Sequence, residues 1–295
     1  MVDTTHPTGA APAAEDAAHA AAQARLRAER RRALGRTLLR SLGGAALTLA
    51  VLLLLWQAAV SFTGISPFVA KGPLDVWGFL FTDEDAAEHR DQMFPLVAVT
   101  LADAAIGFVV GMSVAIVAAI LFSLSRSIEA GVMPLVLLLR TIPLVAIAPV
   151  IILVTGRGTP ASVAVIGTIV VLFPALANVL FGLSRASQQS VDVVRVFGGG
   201  RFTTLRKVNL PGALPSVFAA ARVSVPGAVT GALLAEWLST GTGIGGSILK
   251  FNAQAQFTQV WASIALITVI TLVLYNLVQI LENVALTRMG MTGSR

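Results

Sequence analysis

Apolar residues in this chain do not alternate with polar ones as in a half-buried sheet; they gather into long, nearly unbroken runs. About 20 apolar residues are needed to cross ~30 Å of hydrocarbon. Six runs reach that length, at 41–62, 94–122, 131–155, 161–183, 215–238 and 260–286. Lipid offers the backbone no hydrogen bonds, and runs this long satisfy their own as helices, not as barrel strands. The predicted fold class is all-α: a polytopic membrane protein with six transmembrane helices. Its expected divisions are a cytoplasmic basic tail over 1–40, a first helix over 41–62, an extracytoplasmic segment over 63–93 and a helical core over 94–286.

Basic residues between the runs set the orientation. With the amino end inside, fifteen Lys and Arg lie in cytoplasmic segments, from Arg25 through Arg40 to Arg288 and Arg295. Four, Lys71, Arg90, Arg157 and Lys250, lie outside. Both termini are therefore expected in the cytoplasm. Residues 1–24 are Ala-rich and lack an apolar face, which predicts an unstructured tail. The arginines that follow read as the positive-inside anchor, in contact with anionic lipid. Ala59-Val60-Ser61 also offers a small-x-small cleavage site, but a forty-residue polar leader is too long for a signal peptide. Between the first two runs, Asp75 to Phe81 has apolar residues at helical spacing and predicts an amphipathic helix in the interface.

Composition narrows the function. The chain is 56% hydrophobic and 12% charged, about half the charge of a soluble domain. It has no cysteine and three histidines, His6, His19 and His89, all outside the apolar runs. Disulfides, thiolate metal sites and a buried Ser-His-Asp triad are thereby excluded, so no catalytic or metal-binding residue is assigned. None of the three lysines, Lys71, Lys207 and Lys250, is followed by Ser or Thr, as a phosphate-binding loop requires. No ATP site is expected in this chain, and the net charge of +6 needs no nucleic acid to explain it.

One connection, 184–214, is long and patterned. Val191, Val194 and Phe197 fall near one face of a short helix, with Asp192 and Arg195 three apart on another. Gly198, Gly199 and Gly200 then end that helix. A second helix begins at Arg201, and Pro211 is expected to stop it. The predicted product is a helix–turn–helix against the membrane surface, offering apolar and basic groups to a partner. An ordinary surface hairpin accounts for the pattern but not for the length of the loop.

This loop resembles the EAA loop of ABC-importer permeases: Glu-Ala-Ala, three residues, Gly, nine residues, then Ile-x-Leu-Pro. Asp192-Val193-Val194 stands on the triplet, Gly198 on the glycine, and Val208-Asn209-Leu210-Pro211 on the closing motif. Gly107-Phe108-x-x-Gly111, Leu124-Ser125-Arg126-x-x-Glu129, Pro134, Arg140, Ile142-Pro143, Ala146, Pro149, Arg222, Ala235-Glu236 and Gly243-Ile244-Gly245 are similar to the nitrate/sulfonate/taurine-type group of these permeases. The resemblance covers roughly 94–285. It implies the type I importer permease fold and a multi-pass protein of the bacterial inner membrane. It also implies a second permease copy, two ABC ATPase subunits and an extracytoplasmic solute-binding protein. ATP and Mg would be bound by the ATPase partner, with no cofactor in this chain. Asp192, Val193, Val194, Arg195, Gly198, Val208, Leu210 and Pro211 would couple to the ATPase.

Charges inside apolar runs usually face a cavity or the protein interior. Asp103, Arg140, Arg222 and Glu236 stand out. Arg140, among Pro134, Pro143 and Pro149, either satisfies carbonyls that the prolines free or meets solute. Arg222 is placed to snorkel to the surface. Glu236 precedes a glycine-rich stretch, Gly241 to Gly246, that reads as a movable outer gate with a solvated carboxylate. Asp103, Arg140, Glu236 and Gly243 are the candidate pathway residues. Two acids there argue against an anionic solute and leave a neutral or cationic vitamin or pyrimidine precursor open. An ion-coupled secondary transporter using Asp103 and Glu236 is the alternative, though the inverted repeat it requires is absent. A membrane-embedded enzyme finds no catalytic motif.

Overall fold

The computed structural model describes residues 47–62 and 64–289. The expected tail over 1–40, its arginine anchor and the first residues of the 41–62 run lie outside them. The chain divides into two units, Met1–Ile65 and Ser66–Arg295. The described part of the first is an apolar helix, α1 (Leu47–Phe62).

The second unit opens with α2 (Pro73–Trp77), which widens into a π-turn over Gly78–Thr82. Asp75 caps it, accepting from the Gly72 N–H at 2.7 Å. The apolar face is divided, with Trp77 and Phe81 exposed and the rest turned inward. Val76, Phe79 and Leu80 are buried, and the segment packs against α3 (Ala86–Leu124) and α11 (Phe257–Arg288). Carbonyls at the end of a helix need donors from elsewhere, and α3 starts early enough to supply them. Arg90 donates to the Leu80 carbonyl at 2.7 Å, and His89 Nδ1 lies 2.9 Å from that of Phe79. The segment expected over 63–93 thus loses its last quarter, from Ala86 on, to α3.

The run at 131–155 is not one straight helix. It is α4 (Arg126–Thr141) and α5 (Leu144–Thr155), bent by 109°. Pro143 has no N–H to continue the ladder, and its ring pushes Ile142 into extended backbone (φ −78°, ψ 123°).

Then come α6 (Pro160–Ser184), α7 (Gln188–Val196) and α8 (Arg201–Thr204). A π-turn over Leu205–Asn209 joins α8 to α9 (Leu210–Ala235), and a second π-turn, Glu236–Thr240, closes α9. Pro211 therefore does not end a helix. It follows the π-turn directly, within backbone that stays helical through Asn209 (φ −69°, ψ −48°), and the wider turn accommodates the ladder bond that it cannot make. Arg201–Thr240 runs on for 40 residues, about 60 Å at 1.5 Å per residue. The chain finishes with α10 (Gly243–Ala253) and α11.

The core is built from α3, α6 and α9. Their backbones meet at three glycines: a Cβ on Gly107 would stand 2.9 Å from the Gly167 Cα, and one on Gly231 would stand 3.0 Å from the same atom. Small residues permit such approach where lipid supplies no hydrophobic drive between helices. Among the described residues four helices are long and apolar enough to span, five if the bent pair is one crossing.

Candidate coupling and pathway sites

In the 184–214 loop, Ser187 caps α7 by accepting from the Ser190 N–H at 3.2 Å. Asp192 is held by Gln188 at 3.0 Å and by Arg195 at 3.7 Å, all on the exposed side. Gly198 takes φ +77°, the left-handed cap, with its N–H on the Arg195 carbonyl, while the Gly199 N–H reaches that of Val194. A Cβ on Gly199 would collide with the Val194 side chain, so the hairpin closes tightly. Val191 and Val194 are half-buried, while Phe197, which borders the same small hollow as Val194, is 86% exposed. It joins Val193, Val196 and Phe202 in an exposed apolar surface, beside the exposed Arg195, Arg201, Arg206 and Lys207. Val208 and Leu210 are half-buried, Pro211 is exposed, and Leu205 anchors the hairpin in the core.

At the other end of α9, Glu236 is fully buried instead of solvated. Its Oε2 accepts from the Thr100 hydroxyl at 3.0 Å and from the Gly245 N–H at 2.7 Å. The Thr100 Oγ1 in turn accepts from the Ile244 N–H at 2.9 Å. One carboxylate and one hydroxyl thus hold the first turn of α10 against α3 and α9. The second π-turn brings Ser239 inward as well, onto Ser162 at 2.9 Å and the Gly158 N–H at 3.0 Å. Of the four glycines here, Gly241 stands open at φ +68° and the other three are tightly packed. A Cβ on Gly243 would run into the Glu236 carboxylate, one on Gly245 into the Leu233 carbonyl, and one on Gly246 into the Gly241 backbone. These three are close-packed because nothing larger fits.

Asp103 lies one turn beyond Thr100 on α3 and is half-buried. Arg140, in the last turn of α4, stacks its guanidinium 4.2 Å over the Phe173 ring.

Residues 107–289 match the family described as the binding-protein-dependent transport system inner membrane component. The chain belongs to this family. The permease is 31% identical over 229 residues to a probable ABC transporter permease protein of Haemophilus influenzae (78% of this chain, 91% of that protein). It is 28% identical over 239 residues to a riboflavin transport system permease protein of Chloroflexus aurantiacus (81% and 87%). It is 26% identical over 236 residues to a formylaminopyrimidine transport permease protein of Halalkalibacterium halodurans (80% and 92%). Permeases of sulfonate, nitrate and taurine systems match it at 25–26%. In fold it is similar to a bacterial ABC transporter that imports alginate, with a TM-score of 0.50 and 16% identity over 86% of this chain and 96% of that one. The permease is thus a translocation subunit of a multi-pass inner-membrane importer, a family that works with ATPase and solute-binding partners.

Arg222 corrects the sequence reading. Rather than snorkelling, it pairs with Glu282 of α11 at 3.1 Å, with Tyr275 5.9 Å from its Cζ. Glu282 was passed over: it lies within the 260–286 run, where Asn276, Gln279 and Asn283 beside it make the last turns read as a polar helix end. Thr100, Ser162 and Ser239 were missed too. A hydroxyl in a helix is weak evidence alone, since it more often bonds the preceding turn.

Proposed function

We propose that this permease lines the pathway for a small nutrient that a solute-binding protein delivers, and that two ABC ATPase subunits drive it by docking on the α7–α8 hairpin. Asp192, Val193, Val194, Arg195, Gly198, Val208, Leu210 and Pro211 form or frame the coupling element. ATP and Mg belong to the ATPase, and a second copy of this chain completes the pathway. Asp103, Arg140, Glu236 and Gly243 are its pathway residues, the buried Glu236 and Gly243 acting by fixing α10 and not by touching solute. Both termini are cytoplasmic. The solute is a neutral nutrient of vitamin or pyrimidine type, in line with the riboflavin and formylaminopyrimidine systems among the relatives.

The observation that carries this reading is the exposed surface of Val193, Val196, Phe197 and Phe202 beside arginines, on a hairpin whose own fold is fully capped. Apolar side chains held in water by a rigid turn mark an interaction surface. Gly198→Val tests it. No atom stands within 4 Å of a Cβ at that position, so the valine strains only the left-handed backbone, by about 1–2 kcal/mol. Membrane yield is expected to stay near wild type, while co-purified ATPase and uptake fall several-fold. Unchanged ATPase recovery and uptake in this variant would reject the coupling assignment.

A further inference from the structure

At the α4–α5 break lies a groove of about 590 Å³, within the range of small-molecule sites. Its depth follows from α6. Phe173 stands near the middle of that 25-residue helix, with about 20 Å of helix before it and about 17 Å after. Arg140, stacked on Phe173, is therefore held near mid-span, and it has no ion-pair partner among the described residues. A lone charge and a broken backbone at that depth are tolerated where they are buried in protein or line water. This face therefore borders an aqueous path or a second chain.

The polar groups are arranged along one edge. The Arg140 guanidinium supplies donors. Asn178 donates one Nδ2 hydrogen to the Pro174 carbonyl at 2.8 Å, which leaves its other Nδ2 hydrogen as a donor and its Oδ1 as an acceptor. The Leu138 carbonyl is taken by the Thr141 hydroxyl at 2.8 Å, but that of Leu139 has lost its helical donor to Pro143. Ile142, Leu144 and Ile169 form apolar walls. An oxyanion would use the donors of Arg140 and Asn178 but leave the Leu139 carbonyl and the Asn178 Oδ1 without donors; a cation would meet Arg140. A flat ring with carbonyl and N–H groups along its rim suits all of them.

We propose that this groove is a station for a neutral, planar heterocycle during translocation, held by Arg140 and Asn178 along its polar edge and by Phe173 beneath the arginine. The proposal rests on the permease reading above. Secondary transporters commonly place solute at discontinuous helices near the midplane, and the α4–α5 break offers a comparable geometry.

The test uses the permease–ATPase complex in lipid nanodiscs without binding protein. Equilibrium dialysis with radiolabelled riboflavin, uracil and taurine is expected to show saturable binding of at least one heterocycle and none of taurine. Arg140→Met and Asn178→Leu should each weaken it tenfold or more while ATPase recovery stays normal. The chain has no cysteine, so Ala177→Cys, on the groove wall, introduces a single thiol. A charged, membrane-impermeant thiol reagent should label it, and the bound heterocycle should slow the labelling. Absence of saturable heterocycle binding, equal binding of taurine, unaffected variants or an inert Cys each overturns the station while leaving the permease reading intact. Failure of the wild-type chain to recover ATPase overturns the permease reading, and the station with it.

Discussion

Glu236 shows how much one carboxylate organises. Its Oε2 and the Thr100 hydroxyl gather the Gly245 and Ile244 N–H groups, donors that the start of a helix otherwise leaves unpaired. Buried groups left without partners cost about 1–3 kcal/mol each. Glu236→Ala and Thr100→Val are therefore expected to destabilise the purified protein by about that amount, read as a lower thermal midpoint in detergent. Glu236→Gln keeps an acceptor for the Gly245 N–H and should lose less than half as much. A silent Glu236→Ala would remove the bracing role. The residue itself is legible in the sequence, since a charge in an apolar run draws notice. Its partner is not: Thr100 is 136 positions away, and no local pattern ties the two.

At the scale of elements, the periodicity of apolar residues predicts helices well but not what interrupts them. The π-turns at Leu205–Asn209 and Glu236–Thr240 add a residue to a turn just before Pro211 and just before Gly241, where a sequence reading expects a stop instead. They decide that α8 runs into α9 and that Glu236 and Ser239 both face inward. The α9–α11 contact is similarly fixed by the Arg222–Glu282 pair, whose side chains are 26% and 13% exposed. Removing one partner strands the other charge, whereas removing both does not. Arg222→Met is expected to cost about 1–3 kcal/mol, a range reduced for the partial exposure of the arginine. The double variant Arg222→Met/Glu282→Met should recover most of that loss. Equal losses in the single and double variants, measured by thermal unfolding, would show that the pair does not couple α9 to α11.

For the whole molecule, fifteen basic residues against four predict that the basic side lies in the cytoplasm. A fluorescent reporter fused after Arg295 is expected to mature in the cytoplasm, and a phosphatase fused at Arg157 to be active outside. Neutralising Arg25 through Arg40 should disturb the insertion of the first helix. Active phosphatase at the carboxyl end of the wild-type chain would refute this orientation.

Hydrophobic run length alone determined that this is a helical membrane protein, because lipid leaves the backbone no alternative. The spacing from Asp192 through Gly198 to Pro211 was enough to reveal the α7–α8 hairpin, because a left-handed cap and its flanking helices are local. Tertiary structure alone decided what the charges do. It turned a solvated Glu236 into a buried brace, a snorkelling Arg222 into an ion pair, and most of a flexible glycine run into close packing. It also bent the third span and set Arg140 on Phe173, opening the groove. Each of these depends on residues distant in sequence meeting across the bundle, where burial and partner, not local pattern, fix the role of a charge.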